Sequence, residues 1–313
     1  MNQNPLISVV IPAFNREKTI SYCLNSVLAQ TYEKIEVIVV DDCSTDNTVA
    51  VAKSYTDPRV RCIVLEKKSG AQAARNRGIR EAAGDWIAFQ DSDDEWMPEK
   101  IEKQVEVLSQ TKFDPLVLVH CAAIRCPVNK KKEEILDRSA LEGCNLYSIL
   151  LFSPPPLYQT MLVSKAALEK IGYLDENVPS HQEWDTAIRL SKICNFIYVP
   201  QPLMKYYIHE DDPISHDKER DIKGRKYIIE KFEKDIKDYC GEKAWHKLLV
   251  GQLQRCLDFR LWTRFDEGFK RYLPEGRLGV RLIYLILCRI ARVVPTNYGF
   301  ILLKRVIIHK HNG

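Results

Sequence analysis

The chain has 313 residues, of which 45% are hydrophobic and 28% are charged, and its formal net charge is +4. This composition is that of a globular protein with a large core, and it excludes a fibrous or wholly disordered chain. No continuous apolar run reaches the roughly 20 residues that a membrane-spanning helix requires.

The first half of the chain alternates predicted strands with predicted helices. The strands are short apolar runs at 7–11, 35–40, 60–65 and 86–89. The helices between them are predicted at 17–30, 48–55 and 71–83. Such alternation is typical of parallel sheets with right-handed crossovers. We therefore predict an α/β fold, with a Rossmann-like, mostly parallel sheet flanked by helices.

The second half of the chain contains further elements of the same kind. Further strands are predicted at 117–124, 160–163 and 197–199, and helices at 166–170 and 183–193. From Ser215 onward the sequence is helical in pattern and basic. We therefore expect a first domain at 1–215 and a helical, basic C-terminal region at 216–313.

Charge is distributed unevenly between these parts. Residues 1–217 carry 24 Lys and Arg against 31 Asp and Glu, whereas residues 218–313 carry 22 against 11. Such a basic end indicates a surface that meets lipid headgroups, nucleic acid or a phosphorylated substrate. No nucleic-acid-binding module or aromatic-basic interleaving is present, so we expect no nucleic acid partner.

An acidic cluster, Asp91-Ser-Asp-Asp94, follows the fourth predicted strand. Ligands of parallel α/β sheets bind beyond the carboxyl ends of the strands, where this cluster lies. Hard divalent cations prefer carboxylate oxygens, and Mg²⁺ is usually held by one or two of them together with substrate phosphates. The alternative is a solvated acidic turn, which the position after a buried strand disfavours.

Asp42 and Arg75 are two further candidates near the same edge of the sheet. Asp42 follows the second strand and is either a turn or capping residue or an acceptor for the N–H groups of a nucleotide base. Arg75 is either a surface cation on its helix or a group that binds phosphate.

Two carboxylates, Glu183 and Asp185, lie at the start of a predicted helix. Residues two apart do not share a helix face, so only one of them is expected to face a cleft as a general base. The alternative is that both are ordinary acids favoured by the helix dipole. His209 follows the last strand and is either a structural histidine or a metal ligand.

Several segments together resemble the family-2 glycosyltransferases over about residues 5–215. They are Val9-Val-Ile-Pro-Ala-Phe-Asn15, Ser26-Val-Leu-Ala-Gln-Thr-Tyr32, Val39-Val-Asp-Asp-Cys-Ser-Thr-Asp-Asn-Thr48, Ala74-Arg-Asn-Arg-Gly-Ile79, Asp91-Ser-Asp-Asp94 and Gln182-Glu-Trp-Asp185. The resemblance implies a GT-A fold, a nucleotide-sugar donor, a divalent metal (Mn²⁺ or Mg²⁺) and inversion at the anomeric carbon. The resemblance also favours a UDP-sugar as the donor.

The resemblance also implies site residues. The implied nucleotide-binding set is Pro12, Ala13, Asn15, Glu17, Asp42, Arg75, Asp91, Ser92 and Asp93. The implied metal ligands are Asp93 and His209. The base motif departs from the usual Glu-Asp, because Gln182-Glu183 occupies its place, and we predict Glu183 rather than Asp185 as the catalytic base.

Two other functions are alternatives to a transferase. An oxidoreductase of similar fold would show Gly-x-Gly-x-x-Gly after the first strand, where this chain has Pro-Ala-Phe-Asn-Arg. A catalytically inert nucleotide-sugar-binding module is the alternative that the altered base motif leaves open.

The C-terminal segment 277–294 is basic and amphipathic, since Arg281, Arg289 and Arg292 fall within about 80° on a helical wheel at 100° per residue. Residues 301–308 have similar chemistry. These helices either pack on the catalytic domain or lie in an anionic membrane surface, which would suit a saccharide or lipid-linked saccharide acceptor. No signal-like segment is found, so we expect a cytoplasmic protein, peripheral on the cytoplasmic face of the membrane in the second case.

Overall fold

The structure, a computed structural model, describes residues 4–127, 133–208, 217–259, 261 and 264. The chain forms two compact units, Met1–His216 and Asp217–Gly313. The strands of the first unit are β1 (Ile7–Ala13), β2 (Ile35–Asp41), β3 (Val60–Val64), β4 (Trp86–Phe89), β5 (Glu95–Trp96), β6 (Val117–Pro127), β7 (Glu134–Leu136), β8 (Leu162–Ser164) and β9 (Asn195–Ile208). Its helices are α1 (Ile20–Leu28), α2 (Thr48–Lys53), α3 (Ala71–Glu81), α4 (Lys100–Gln110), α5 (Tyr147–Leu150), α6 (Lys165–Lys170) and α7 (Gln182–Ser191), and a 3₁₀ turn spans Tyr158–Thr160.

All nine strands belong to one sheet with the order β3-β2-β1-β4-β8-β6-β9-β5, and β7 pairs with β6. The strands β3, β2, β1 and β4 are parallel neighbours. Every residue of β1 and of β4 is buried, as expected of apolar strands covered on both faces by helices. The carboxyl ends of β1, β2 and β4 therefore lie along one edge of the sheet.

The second half of the sheet is mixed. β8 runs antiparallel to both β4 and β6, whereas β6 and β9 are parallel. The predicted strand 197–199 was too short, because β9 continues to Ile208 past Pro200 and Pro202. Prolines argue against a strand interior, and here register shifts in the pairing of β6 with β9 accommodate them.

The second unit contains α8 (Lys218–Lys231), α9 (Glu233–Cys240) and α10 (Glu242–Asp258). The Arg255 guanidinium of α10 donates to both carboxylate oxygens of Asp221 on α8, at 2.5 and 2.9 Å. None of the described helices is both long enough and apolar enough to cross a membrane. The segments predicted to be amphipathic, 277–294 and 301–308, lie outside the described residues.

Lys100 is a buried cation at the start of α4. It is fully buried, its Nζ donates to Gln104 Oε1 (2.8 Å), and Nζ lies 4.0 Å from the ring centroid of Trp96. Burial lowers the pKa of Lys100 from 10.5 to about 8. The folded protein therefore holds this amine in its neutral form more readily than the unfolded chain does.

Replacing Lys100 by Met is expected to change the pH dependence of stability. Between about pH 8 and 10.5 the unfolded chain keeps a proton that the folded chain has released, so the stability contributed by the lysine rises with pH across this window. Because a pKa unit is worth about 1.4 kcal/mol, the free energy of unfolding of the wild type should rise relative to Lys100→Met by roughly 3 kcal/mol. Urea titrations across this range measure it, with Lys103→Met on the same helix as control. Parallel pH profiles for wild type and Lys100→Met would contradict the expectation.

Candidate active site

The loops that follow β1 and β2 are joined by side-chain hydrogen bonds. Asn15 has a left-handed backbone (φ 53°), accepts the N–H of Thr45 through Oδ1 (2.8 Å), and donates its own N–H to Ser44 Oγ (2.9 Å). Glu17 accepts from the backbone N–H and side-chain amide of Asn47, at 3.1 Å each. The predicted nucleotide-binding residues Asn15 and Glu17 thus brace two loops at one edge of the sheet.

Pro12 and Ala13 end β1 and are buried beside β2. The carbonyl of Ala13 accepts the N–H of Asp42 (2.8 Å). The Asp42 side chain is buried and accepts the N–H groups of Ser69 (2.6 Å) and Gly70 (2.8 Å), directly before α3. Asp42 therefore fixes the start of α3, and its contact with a nucleotide base stays a prediction.

The acidic turn, Asp91–Asp94, follows β4 at the same edge. Ser92 is buried, whereas the Asp93 side chain is 19% exposed. Asp93 Oδ2 lies 3.3 Å from a guanidinium nitrogen of Arg16, which belongs to the loop after β1. The turn is thus bound to that loop through an ion pair.

The outer carboxylates of the acidic turn share one donor. The amide nitrogen of Gln159 donates to Asp91 Oδ2 (2.6 Å) and to Asp94 Oδ2 (2.7 Å). Asp94 also accepts the backbone N–H of Tyr207 on β9 (2.9 Å). Burial, together with the neighbouring carboxylates of Asp93 and Asp91, holds the pKa of Asp94 well above its ordinary value.

Arg75 reaches the acidic turn from α3. A Cβ atom at Gly78 would overlap the Val10 side chain, so α3 lies directly against β1. Arg75 is 5% exposed, and it donates to Asp91 Oδ1 (2.5 Å) and to Gln72 Oε1 (3.1 Å). The structure therefore places Arg75 where it orients Asp91, and its predicted contact with phosphate stays a prediction.

The two carboxylates of α7 have different surroundings. Asp185 is buried and pairs with Arg189 (2.7 Å), whose guanidinium also donates to the carbonyls of Ile171 (2.8 Å) and Tyr173 (2.6 Å). Glu183 is partly exposed, and no described residue forms a hydrogen bond or ion pair with its carboxylate. Asp185 thus anchors α7, which leaves Glu183 as the carboxylate open to a ligand.

Tyr206 on β9 is affected by the carboxylates of both the acidic turn and Glu183. Burial, together with the carboxylates of Asp94, Asp91, Asp93 and Glu183 in that order, raises the pKa of Tyr206 to about 12. The geometric link between the two groups is the 3₁₀ turn, where Gln159 donates to Asp91 and Asp94 and the Tyr158 hydroxyl donates to the carbonyl of Gln182 at the start of α7 (3.0 Å).

A preassembled metal cage is not found within 4–127, 133–208 or 217–259, since no three carboxylate, histidine or cysteine side chains there converge on a point. His209, a predicted metal ligand, lies outside the described residues. The acidic turn nevertheless fits a divalent cation, because Mg²⁺ commonly takes one or two carboxylates and completes its shell with water and substrate phosphates. Asp91 and Asp93 are the partly exposed carboxylates of the turn, and Asp93 is the one predicted to hold the metal.

Two residues of the site were not predicted, Tyr158 and Gln159. Both are buried polar residues of the 3₁₀ turn that follows Pro154-Pro-Pro156. A three-residue turn has no hydrophobic periodicity, so no pattern marked them. The proline run was the one available signal, since it indicates a fixed chain path before β8.

Comparison with known proteins shows related sequences. A family model, Glycosyl transferase family 2, matches residues 8–151. An uncharacterised glycosyltransferase of Haemophilus influenzae is 30% identical over 235 residues, which cover 74% of this chain and 78% of that protein. TuaG of Bacillus subtilis, named for teichuronic acid biosynthesis, is 42% identical over 111 residues. These residues cover 35% of this chain and 44% of TuaG.

A further relative is WfgD of Escherichia coli, named as a UDP-Glc:alpha-D-GlcNAc-diphosphoundecaprenol beta-1,3-glucosyltransferase. It is 42% identical over 103 residues, which cover 33% of this chain and 41% of that protein. The matches with TuaG and WfgD thus span less than half of each relative's length.

Solved structures share the fold. Staphylococcus aureus TarS 1-349 in complex with UDP-GlcNAc superposes with a TM-score of 0.67 at 19% identity, covering 98% of this chain and 91% of that chain. The mannosyltransferase PcManGT from Pyrobaculum calidifontis, in complex with GDP-Man and Mn²⁺, superposes with a TM-score of 0.58 at 18% identity. The superposition covers 97% of this chain and 85% of that chain. The predicted fold class, GT-A with a mostly parallel sheet flanked by helices, is confirmed.

Proposed function

Because this chain belongs to the family-2 glycosyltransferases, we propose that it transfers a sugar from a nucleotide-sugar to a hydroxyl group of a saccharide or lipid-linked saccharide, with inversion. The observation that carries the proposal is that the adjacent residues Tyr158 and Gln159 bind the start of the Glu183 helix and the acidic turn, respectively. A donor diphosphate at the acidic turn would place its sugar toward the Glu183 carboxylate. The setting we infer is the synthesis of a bacterial surface polysaccharide, as the names of TuaG and WfgD suggest.

Glu183 is the general base of the proposed reaction. Its carboxylate takes the proton of the acceptor hydroxyl while that oxygen attacks the anomeric carbon, and the bond from this carbon to the diphosphate breaks. Such a base contributes about 10²–10⁴-fold to the rate. Inversion requires this one carboxylate, whereas retention by double displacement would require a second one as nucleophile.

The acidic turn binds the leaving group in this proposal. Asp93 would hold a divalent cation, Mn²⁺ or Mg²⁺, against the two phosphates, with His209 as a second ligand predicted from the resemblance. The cation would stabilise the negative charge of the departing nucleoside diphosphate. Arg75 and Gln159 orient Asp91 beside it. The Mn²⁺ complex of PcManGT supports this assignment.

The proposed function is tested by turnover. The full chain is incubated with Mn²⁺ and each common nucleotide-sugar, with and without lipid-linked and free saccharide acceptors, and release of the nucleoside diphosphate is measured. We expect release from one donor, strongly increased by an acceptor. Donor binding without turnover on any acceptor would instead indicate the inert binding module.

We expect the nucleotide to be recognised as uridine. The TarS complex with UDP-GlcNAc and the UDP-Glc in the name of WfgD support a UDP-sugar donor. An ionised carboxylate accepts hydrogen bonds only, and uracil offers N3–H, so Asp42 is the residue proposed to read it. Calorimetry with UDP, GDP and CDP in the presence of Mn²⁺ should give the tightest binding for UDP. Equal affinities for the three would show that the base is not read.

We further propose that the basic C-terminal region attaches the protein to the cytoplasmic face of a membrane, where a lipid-linked acceptor would be met. The proposal rests on the sequence of 277–313, which contains seven Lys and Arg residues and no Asp or Glu. Each basic side chain near an anionic surface is worth about 1 kcal/mol. In flotation assays we expect binding to anionic but not neutral liposomes, weakened by salt and lost on deletion of 277–313. Unchanged binding after the deletion, or none to either liposome, contradicts it.

A further inference from the structure

Tyr158 joins its 3₁₀ turn to the helices α3 and α7 through its hydroxyl group. The hydroxyl accepts from the Gln72 side-chain amide on α3 (2.9 Å) and donates toward the carbonyl of Gln182 at the start of α7 (3.0 Å). It also lies 2.7 Å from the hydroxyl oxygen of Thr186, one turn further along α7. The phenol ring is 3% exposed, and its centroid lies 5.2 Å from that of Phe89 on β4. Tyr158 therefore fixes the end of α7 that carries Glu183.

Gln159, the next residue, fixes the acidic turn. Its side chain is buried, and its amide nitrogen has two hydrogens, one for Asp91 (2.6 Å) and one for Asp94 (2.7 Å). Both donor positions are thus used on the carboxylates that flank Ser92 and Asp93. Without the Gln159 amide, the carboxylates of Asp91 and Asp94 would lose the donor that fixes their relative positions.

The 3₁₀ turn that carries both residues is itself held firmly. The carbonyl of Thr160 accepts from the buried Gln104 side chain of α4 (2.8 Å), and the Thr160 hydroxyl donates to the carbonyl of Leu157 (2.7 Å). The turn leads directly into β8, which pairs with β4. Since neighbouring residues of one anchored turn bind opposite sides of the site, the turn sets the distance between them.

We propose that Tyr158 and Gln159 are positioning residues, which hold the Glu183 helix and the acidic turn at the separation that sugar transfer requires. The inference rests on the proposed function, in which Glu183 is the base and the acidic turn binds the donor. Neither residue is proposed to touch the substrate. Tyr158 acts on α7 and Gln159 on the acidic turn, so we expect their replacement to affect kcat and the Kd for UDP, respectively.

Tyr158→Phe removes one oxygen and leaves the ring in its pocket. Because the hydroxyl acts on α7, we expect kcat to fall about tenfold, while the Kd for UDP with Mn²⁺ stays within about twofold of wild type. Tyr32→Phe is the matched control, since the Tyr32 hydroxyl also donates to a carbonyl, that of Pro5, before β1 (2.5 Å). The control should retain wild-type kcat even if its thermal stability falls.

Gln159→Met keeps the length of the side chain and removes the shared donor. Here we expect the Kd for UDP with Mn²⁺ to rise about tenfold or more, because the acidic turn loses its arrangement. Gln30→Met is the control, since Gln30 is likewise buried and its amide donates to the carbonyls of Ser26 (3.3 Å) and Met97 (2.7 Å). Circular dichroism and thermal unfolding establish that each variant is folded.

The outcomes separate this inference from the function on which it rests. If wild type turns over a donor but Tyr158→Phe has wild-type kcat and Gln159→Met binds UDP normally, the inference alone is overturned. If each variant shows the same change in both constants as its control, the two residues act only on stability, and the inference is again wrong. If wild type turns over no donor, both it and the proposed function fail.

Discussion

Replacing Glu183 by Gln is expected to lower kcat at least about a hundredfold, with donor affinity little changed. The substitution keeps the shape of the side chain and removes the proton acceptor, so the loss belongs to the chemical step. The structure supports this choice of carboxylate because Glu183 is partly exposed, whereas Asp185 is engaged by Arg189 inside the protein. Steady-state turnover and calorimetric UDP binding measure the two effects separately.

Asp185→Asn is the matched variant on the same helix. It breaks a buried ion pair, which typically costs about 3–5 kcal/mol when one partner is lost, so we expect a lower melting temperature. The fraction that remains folded should retain most of its kcat. If Asp185→Asn lost most of its kcat while Glu183→Gln kept nearly wild-type kcat, the base would have been assigned to the wrong carboxylate.

Replacing Asp93 by Ala is expected to abolish turnover, with a loss of at least about a thousandfold, while the protein stays folded. Metal-ion stabilisation of a leaving group is worth several kcal/mol, and about 1.4 kcal/mol corresponds to a factor of ten in rate. The same variant should also lose the binding of Mn²⁺ in the presence of UDP, which calorimetry measures. Wild-type activity should likewise disappear with excess EDTA and return with Mn²⁺.

Asp57→Ala serves as the control for Asp93→Ala. Asp57 is also an aspartate paired with an arginine, since its Oδ2 lies 2.9 Å from a guanidinium nitrogen of Arg59, but it precedes β3 at the opposite edge of the sheet. This variant should keep wild-type turnover and Mn²⁺ binding. Full activity of the wild type in excess EDTA would refute the metal assignment.

The edge of the sheet that carries the site was predictable because its signals are local. Asp91-Ser-Asp-Asp94 follows an apolar strand, so its carboxylates lie at the carboxyl end of that strand. This inference does not depend on the rest of the chain. The four parallel strands were predictable for the same reason, since each is a short run of mostly apolar residues. The resemblance to a known family then connected these segments to Glu183.

Other parts of the site depend on contacts that no local pattern encodes. Gln159 and Asp91 are 68 positions apart, and only the antiparallel course of β8 beside β4 brings them together. β9 carries two prolines, and its length becomes evident only from its pairing with β6. The structure also gives Asp42 and Arg75 partners within the protein, which residue type alone does not reveal.

The hydrogen bonds between the loops after β1 and β2 bear on the thermodynamics of donor binding. Asn15 and Glu17 already hold Ser44, Thr45 and Asn47 in one conformation, so little backbone entropy remains to be lost when a nucleotide arrives. Preorganised sites of this kind bind without a folding step, and their affinity therefore depends on the complementarity of ligand groups rather than on loop closure. If the donor binds at this edge as proposed, discrimination between donors would depend on fixed hydrogen-bond geometry.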